Sequence, residues 1–206
     1  VIAINVALIF PITPPLKQAN EYLKSVQPNG FRFDANHKPH VTLLQDFIKN
    51  CPDTVVKLTA ALTETLNSFT IPDVLHFSAL SIPPGLSPSL LVDDSTEQIL
   101  SLHTAIIGAS QPFSLLLYDD SAPEDAFAQT PSHSGVEYVK HYRTKYSNNH
   151  YDPHLTLGKG SSADREGLAA LLPLPMHIEC NGIVLAQLGP HGTVSDNILA
   201  RWQHKQ

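Results

Sequence analysis

The 206-residue chain is sparing with several things that narrow its chemistry. It has two cysteines, Cys51 and Cys180, one methionine and one tryptophan. Two distant thiols with no CxxC spacing build neither a disulfide framework nor a thiolate zinc site. The pattern fits a reducing, cytoplasmic setting, with a single Cys51–Cys180 bridge as the alternative. No apolar run reaches membrane-spanning length, and Val1–Phe10, the most apolar stretch, lacks a basic leader and a small-residue cleavage site. The chain therefore reads as having no membrane segment. A formal net charge of -6 argues against broad binding along nucleic acid, which needs a basic footprint, but permits a small nucleotide or one RNA end. No GxxxxGK[ST], strand-associated GxGxxG, GxSxG or HExxH occurs, so phosphate-cradling loops, serine elbows and a zincin site are absent. His37-x-x-His40 could begin a metal site, but no further ligands stand at suitable spacing, and neither metal nor cofactor is expected.

What the chain does contain is a phrase that occurs twice. Pro39-His40-Val41-Thr42-Leu43 returns as Pro153-His154-Leu155-Thr156-Leu157. On a strand, side chains alternate faces. His40 and Thr42 then share one face, as do His154 and Thr156, while Val41, Leu43, Leu155 and Leu157 take the other. Packing alone accounts for the apolar positions but not for the recurrence of His and Thr, where a structural strand would sooner carry Val or Ile.

Apolar periodicity organises the remainder. Val1–Phe10 reads as a strand buried on both faces, and Thr13-Pro14-Pro15 as a helix start leading to Leu16, Ala19, Leu23 and Val26. A second helix from about Asn50-Cys51-Pro52 carries Val55, Leu58, Leu62, Leu66 and Phe69. Val74–Ile82 and Ser89–Val92 read as strands around a Pro83-Pro84-Gly85 turn. Ser95-x-x-Gln98 reads as a capping box for a helix along Ile99, Leu102 and Ile106. Asp119–Gly135 is expected to be a solvated loop between the lobes, with a lid as the alternative. After the second motif come a short helix near Ala163–Leu172, one strand over Met176–Leu188, a Pro190-His191-Gly192 turn and a closing strand to Trp202. Each motif strand is thus followed by helix, strand, turn, strand. The histidines stand about half a chain apart, which implies a two-member duplication. The expected fold is α+β: a single bilobal domain over 1–206, with two pseudo-symmetric lobes, each with an antiparallel sheet and flanking helices, and a cleft between them.

Two histidines and two hydroxyls suit phosphodiester cleavage. A neutral imidazole takes a proton from the attacking oxygen, and a protonated one gives a proton to the leaving oxygen. Thr42 and Thr156 then hold the phosphoryl oxygens. Tyr151 is a candidate to stack on a base, and Lys38 and Lys159 to lend positive potential. Arg143 and Lys145 are weaker candidates for the same role. The remaining histidines read as surface or structural, with His191 in the final turn as an outlying candidate for the cleft.

The motifs Pro39-His-Val-Thr-Leu43, Tyr151-Asp-Pro-His-Leu-Thr-Leu-Gly158 and Leu188-Gly-Pro-His-Gly-Thr-Val194 resemble those of the 2H phosphoesterase superfamily, which includes 2′-5′ RNA ligase-like proteins and cyclic phosphodiesterases. The resemblance covers almost the whole chain, in order. It implies a bilobal α+β fold with the His-x-Thr strands lining a central cleft. It also implies metal-independent action on a 2′,3′-cyclic phosphate or a 2′-5′ phosphodiester of a nucleotide or RNA end. His40, Thr42, His154 and Thr156 match its catalytic motif. A monomeric hydrolase of RNA processing is the leading expectation. A non-catalytic module binding an AMP-like nucleotide and a 2′-5′ end-joining ligase are the alternatives.

Overall fold

The computed structural model describes residues 1–83, 87–93, 96–115 and 124–203. Among these, eight strands form one antiparallel sheet, in the order β6-β3-β4-β5-β2-β1-β7-β8. The first strand, β1 (Ile2–Ile9), is buried along its whole length, as its near-unbroken apolar run demands. Helix α1 (Pro14–Val26) begins with two prolines, whose missing N–H groups fall where a helix has no use for them. Its buried face is Leu16, Ala19, Asn20 and Leu23. Strand β2 (His40–Ile48) follows, then α2 (Pro52–Leu66), which buries Leu58, Leu62 and Leu66. Next come β3 (Val74–Ser81), β4 (Ser89–Val92) and α3 (Thr96–Ser110). Residues 84–85 of the expected turn and Ser95 of the expected capping box lie outside the described residues.

Helix α4 (His133–Lys145) precedes β5 (His154–Thr156), which is followed by α5 (Arg165–Leu171), β6 (Met176–Glu179), β7 (Ile183–Leu188) and β8 (Val194–Trp202). Two expectations change here. The single strand over Met176–Leu188 is two strands: β6 closes one edge of the sheet beside β3, and β7 sits in the other half between β1 and β8. The break is at Cys180–Gly182, where Gly182 adopts a φ of +103° and a Cβ would strike the Trp202 carbonyl. The loop expected over Asp119–Gly135 is overtaken at its end by α4, which begins at His133 with Ser132 Oγ accepting from the Gly135 N–H. Before it, Ala126 and Phe127 are buried against Phe47 and Val139. Asp119 and Asp120 lie outside the described residues.

The two motif strands are paired alike. β1 lies beside β2, with Ile9 opposite His40 and Ala7 opposite Thr42. In the same way β4 lies beside β5, with Leu91 opposite His154 and Ser89 opposite Thr156. The Phe10 N–H donates to the Pro39 carbonyl as the Val92 N–H donates to the Pro153 carbonyl. The halves then exchange material. The strand after α2 (β3) pairs with β4, whereas the β7 strand that follows α5 and β6 pairs with β1. The sheet divides into two four-strand halves: β3, β4, β5 and β6 come from the middle of the sequence, and β1, β2, β7 and β8 from its two ends.

One face of the sheet carries the main core, where Val6, Leu8, Val41, Leu43, Leu44 and Leu155 meet Leu16, Leu58, Ile99 and Leu168 of the helices. Beyond Val41, β2 leaves β5 and runs along α4. There Arg143 donates from Nε and Nη2 to Asp46 Oδ2, both at 2.7 Å, and from Nη1 to the Ile107 carbonyl at 3.0 Å. Burial pushes the Asp46 carboxyl up, with Arg143 and the Ser114 hydroxyl opposing. Arg143, a candidate for cleft potential, is therefore an internal clamp. Both cysteines are free thiols. No helix among the described residues is long and apolar enough to cross a membrane.

Removing one side of this buried pair strands the other charge. Asp46→Ala is expected to lower the unfolding free energy by about 3–5 kcal/mol in urea titration. The double variant Asp46→Leu/Arg143→Met should recover most of that loss, because no unpaired charge remains.

Candidate active site

Strands β2 and β5 meet at one residue pair, Val41 opposite Leu155, both fully buried. Antiparallel register then sets Thr42 against His154 and His40 against Thr156. Residues directly opposite share a face, with Cβ atoms about 4.5–5.5 Å apart and diagonal neighbours about 7–8 Å. The four motif side chains thus form a square on the sheet face opposite the main core, with the two histidines across one diagonal. All four are partly exposed, while the alternate residues Val41 and Leu155 are buried. The two copies come together as the sequence motif requires.

The recurrent proline has a local role. His40 Nδ1 lies 2.8 Å from the Lys38 carbonyl, and His154 Nδ1 lies 2.7 Å from the Asp152 carbonyl. In each copy the acceptor is the residue before the proline, a position that proline holds extended. A carbonyl only accepts, so Nδ1 carries the proton in both rings. Each Nε2 is left for chemistry. Loss of surrounding water pushes His40 down to about 4, and the nearby His154 adds to this. The carbonyls of Lys38 and Gly192 act in the opposite direction.

The other candidates are placed as follows. Lys38 is half-buried, and its ammonium reaches the backbone carbonyls of Ala35 and Ser195. Desolvation lowers its pKa. Lys159 is half-buried, with its stem against Gly30. The Tyr151 hydroxyl donates to the Thr42 carbonyl at 2.7 Å, and its ring stacks on His103 with centroids 3.8 Å apart and planes 1° from parallel. One face of the ring is therefore already covered by protein. His37 pairs with Asp34 at 2.8 Å and stacks on Phe31, so it points its Nδ1 at a carboxylate rather than toward His40. Among the described residues no group of three or more His, Cys, Asp or Glu is arranged to hold a metal ion. An open groove lined by Lys24, Phe31, Arg32, His37, Gln129 and Pro190 runs beside the loop that leads into β2.

Two supports escaped sequence reasoning. His103, fully buried on α3, bonds the Leu43 carbonyl through Nδ1 at 2.7 Å and accepts the Asn148 N–H at Nε2, 2.9 Å away. Burial lowers its pKa. With Tyr151 it holds two successive carbonyls of β2 immediately after the motif. The other support is polar and sits within apolar strands. Asn5 is the one polar residue of β1, and it lies opposite Gln45 of β2. That break in an apolar run was the available signal.

Several solved structures align with this chain over nearly its whole length. A structure described as a phosphoesterase aligns over 100% of both chains with 14% identity and a TM-score of 0.51. E. coli LigT complexed with 3′-AMP aligns over 98% of both chains at 15% identity and a TM-score of 0.48. The same protein complexed with ATP covers 98% of this chain and 97% of its own, at 13% identity and 0.47. No family model and no curated protein matches the chain. The α+β fold is thus that of a phosphoesterase structure along its full length, in keeping with the resemblance carried by the motifs.

His40 and His103 both bind protons less readily folded than unfolded. Between pH 6.5 and about 4 the unfolded chain holds more protons, so stability is complete at neutral pH and falls as pH drops through this window. Thermal melts across pH 4–7 should show this decline, and His40→Gln should flatten it. An unaltered slope in that variant would assign the uptake elsewhere.

Proposed function

We propose that this chain is a 2H-type phosphoesterase that cleaves a 2′,3′-cyclic phosphate or a 2′-5′ phosphodiester on a nucleotide or RNA end. The observation that carries this reading is the square of His40, Thr156, Thr42 and His154 on one open sheet face, with both Nδ1 atoms committed to backbone carbonyls. Each imidazole then presents Nε2 to a group lying between them, and each hydroxyl stands beside the opposite histidine.

The enclosed His40 is the base. Its low affinity for protons keeps it neutral at physiological pH, and two cations this close disfavour one another. His40 Nε2 takes a proton from water as the oxygen bonds to phosphorus. His154 in its protonated form gives a proton to the departing ribose oxygen. Thr42 and Thr156 donate hydrogen bonds to the non-bridging oxygens, which strengthen as charge accumulates. Arg32, in the groove beside the loop that leads into β2, is the candidate to meet further phosphates of the substrate, since the Lys24 ammonium is given to the Pro28 and Gly30 carbonyls. Tyr151 contributes by fixing the Thr42 backbone rather than by stacking on a base.

The test is a panel of 2′,3′-cyclic mononucleotides and 2′-5′ oligoadenylate followed by phosphorus NMR. His40→Ala and His154→Ala are each expected to lower kcat by about 10²–10⁴-fold with the fold retained by circular dichroism. Robust turnover in either variant refutes the reading. EDTA should leave the rate within about twofold, since both proton transfers belong to imidazoles. The acid limb of kcat/KM should fall near pH 4, far below the usual 6.5 of imidazole. Calorimetric binding of AMP without any product from the panel would instead favour a nucleotide-binding module.

A further inference from the structure

Helix α1 buries one polar side chain on the face it shares with Leu16, Ala19 and Leu23: Asn20, which is 2% exposed. Asparagine is a weak helix former, and leucine would suit such a face better. Asn20 is spent instead on three backbone groups. Its Oδ1 accepts from the Phe33 N–H at 2.8 Å, and its Nδ2 donates to the Phe31 carbonyl at 3.2 Å and to the Leu157 carbonyl at 2.7 Å. Both amide hydrogens are thereby used. The first two bonds bracket a single residue, Arg32. The third reaches the end of the second motif, at the residue directly after Thr156. Gly158 leaves room for it: its φ is +152°, and an added Cβ would stand 3.3 Å from Asn20 Nδ2.

The bracketed segment lies beside the first motif. Asp34 and His37 form an antiparallel bridge with hydrogen bonds in both directions, which folds residues 31–33 back along the lead-in to His40. The Phe31 ring stacks on His37, with centroids 5.4 Å apart and planes 7° from parallel. His37 stands three residues before His40, about 10 Å along an extended chain. Arg32 is exposed between its two clamped neighbours and lines the groove with Phe31 and His37. His37 is engaged by the Asp34 carboxylate, and the Lys24 ammonium by the Pro28 and Gly30 carbonyls. Among the described residues that line the groove, Arg32 is the cation left for a ligand.

We propose that this groove is a second phosphate subsite, with Arg32 as the residue that contacts the phosphate and Asn20 as the positioning residue that holds Arg32 in register with the second motif. The substrate class follows. It is a nucleoside 2′,3′-cyclic phosphate that carries a further phosphate on its 5′ oxygen, as the last nucleotide of an RNA chain does, in preference to one with a free 5′ hydroxyl. This rests on the reading of the two His-x-Thr motifs as the seat of the scissile phosphorus. The cyclic phosphate sits between the histidines, and the 5′-phosphate lies against Arg32, whose planar fork bonds two of its oxygens. Asn20 touches neither group. It acts through the backbone, by tying the residues on either side of Arg32 to the carbonyl that follows Thr156.

The test compares adenosine 2′,3′-cyclic phosphate with and without a 5′-phosphate. The unmodified protein should favour the 5′-phosphorylated form about tenfold in kcat/KM, chiefly through KM, as expected for a charge-assisted hydrogen bond. Arg32→Ala and Asn20→Leu should each bring that preference close to nil, and Arg32→Lys should keep part of it. The double variant should show no smaller preference than Arg32→Ala alone, because Asn20 acts through that side chain. A purely structural Asn20 would instead slow both substrates alike and leave their ratio unchanged. If Asn20→Leu fails to fold, Asn20→Asp decides, since it keeps the acceptor for Phe33 and loses both donors. Equal kcat/KM for the two substrates in the unmodified protein, or a ratio unmoved in folded Arg32→Ala or Asn20 variants, overturns the proposal. Absence of turnover would defeat the phosphoesterase reading, while calorimetry with adenosine 3′,5′-bisphosphate against adenosine 3′-monophosphate would still decide this one. Tighter binding of the bisphosphate that is lost in Arg32→Ala supports the subsite; equal binding, or none, overturns it.

Discussion

The whole site depends on one pairing, Val41 against Leu155. Because strand side chains alternate, this register places both histidines and both threonines on the open face. A slip of one residue on either strand would drive that strand's polar pair into the core and bring leucine or valine out. The junction resists slipping because Val41, Leu43, Leu155 and Leu157 are all fully buried on the other side. A register shift in the β1–β2 pairing between Val6 and Ala7 then turns Leu43 and Leu44 both inward, and brings Gln45 back to the face of His40. The irregularity therefore does two things: it ends the motif and supplies the amide that reaches Gly192.

On the proposed reading, two chemically identical side chains take different roles. Both rings are anchored alike through Nδ1, so orientation does not distinguish them. Surroundings do. Burial strips water from His40, while the Nδ1 contact of His154 stays exposed. Desolvation lowers the proton affinity of His40, and carbonyl dipoles limit how far that goes. The same economy holds next to the motif, where His103 and Tyr151 satisfy the carbonyls of Leu43 and Thr42.

Much of this was legible in the sequence, for identifiable reasons. The buried run of β1, the proline-led starts of α1 and α2, and the His-x-Thr alternation are local signals, and local physics determines them. What stayed hidden depends on distant partners. Helix α4 buries little beyond Val139 and Tyr142, so its apolar period is faint among Tyr, His and Lys. Arg143 resembles a surface cation until Asp46, nearly a hundred positions away, is brought to it. Tyr151 has the right place for a base-stacking ring, but His103 takes one of its faces. The split between β6 and β7 is marked in sequence by Asn181-Gly182 alone, inside a run that otherwise reads as extended.

The exchange of strands between the halves of the sheet has a mechanical meaning. Strand β3 leaves the first motif to serve the second, and β7 returns the debt. The halves are laced together by covalent crossings as well as by the β2–β5 contact. Such a frame does not swing open and shut like a pair of jaws. On the proposed function, admission and departure of a ligand would fall to the loops at the rim, and the four motif side chains would keep their spacing throughout.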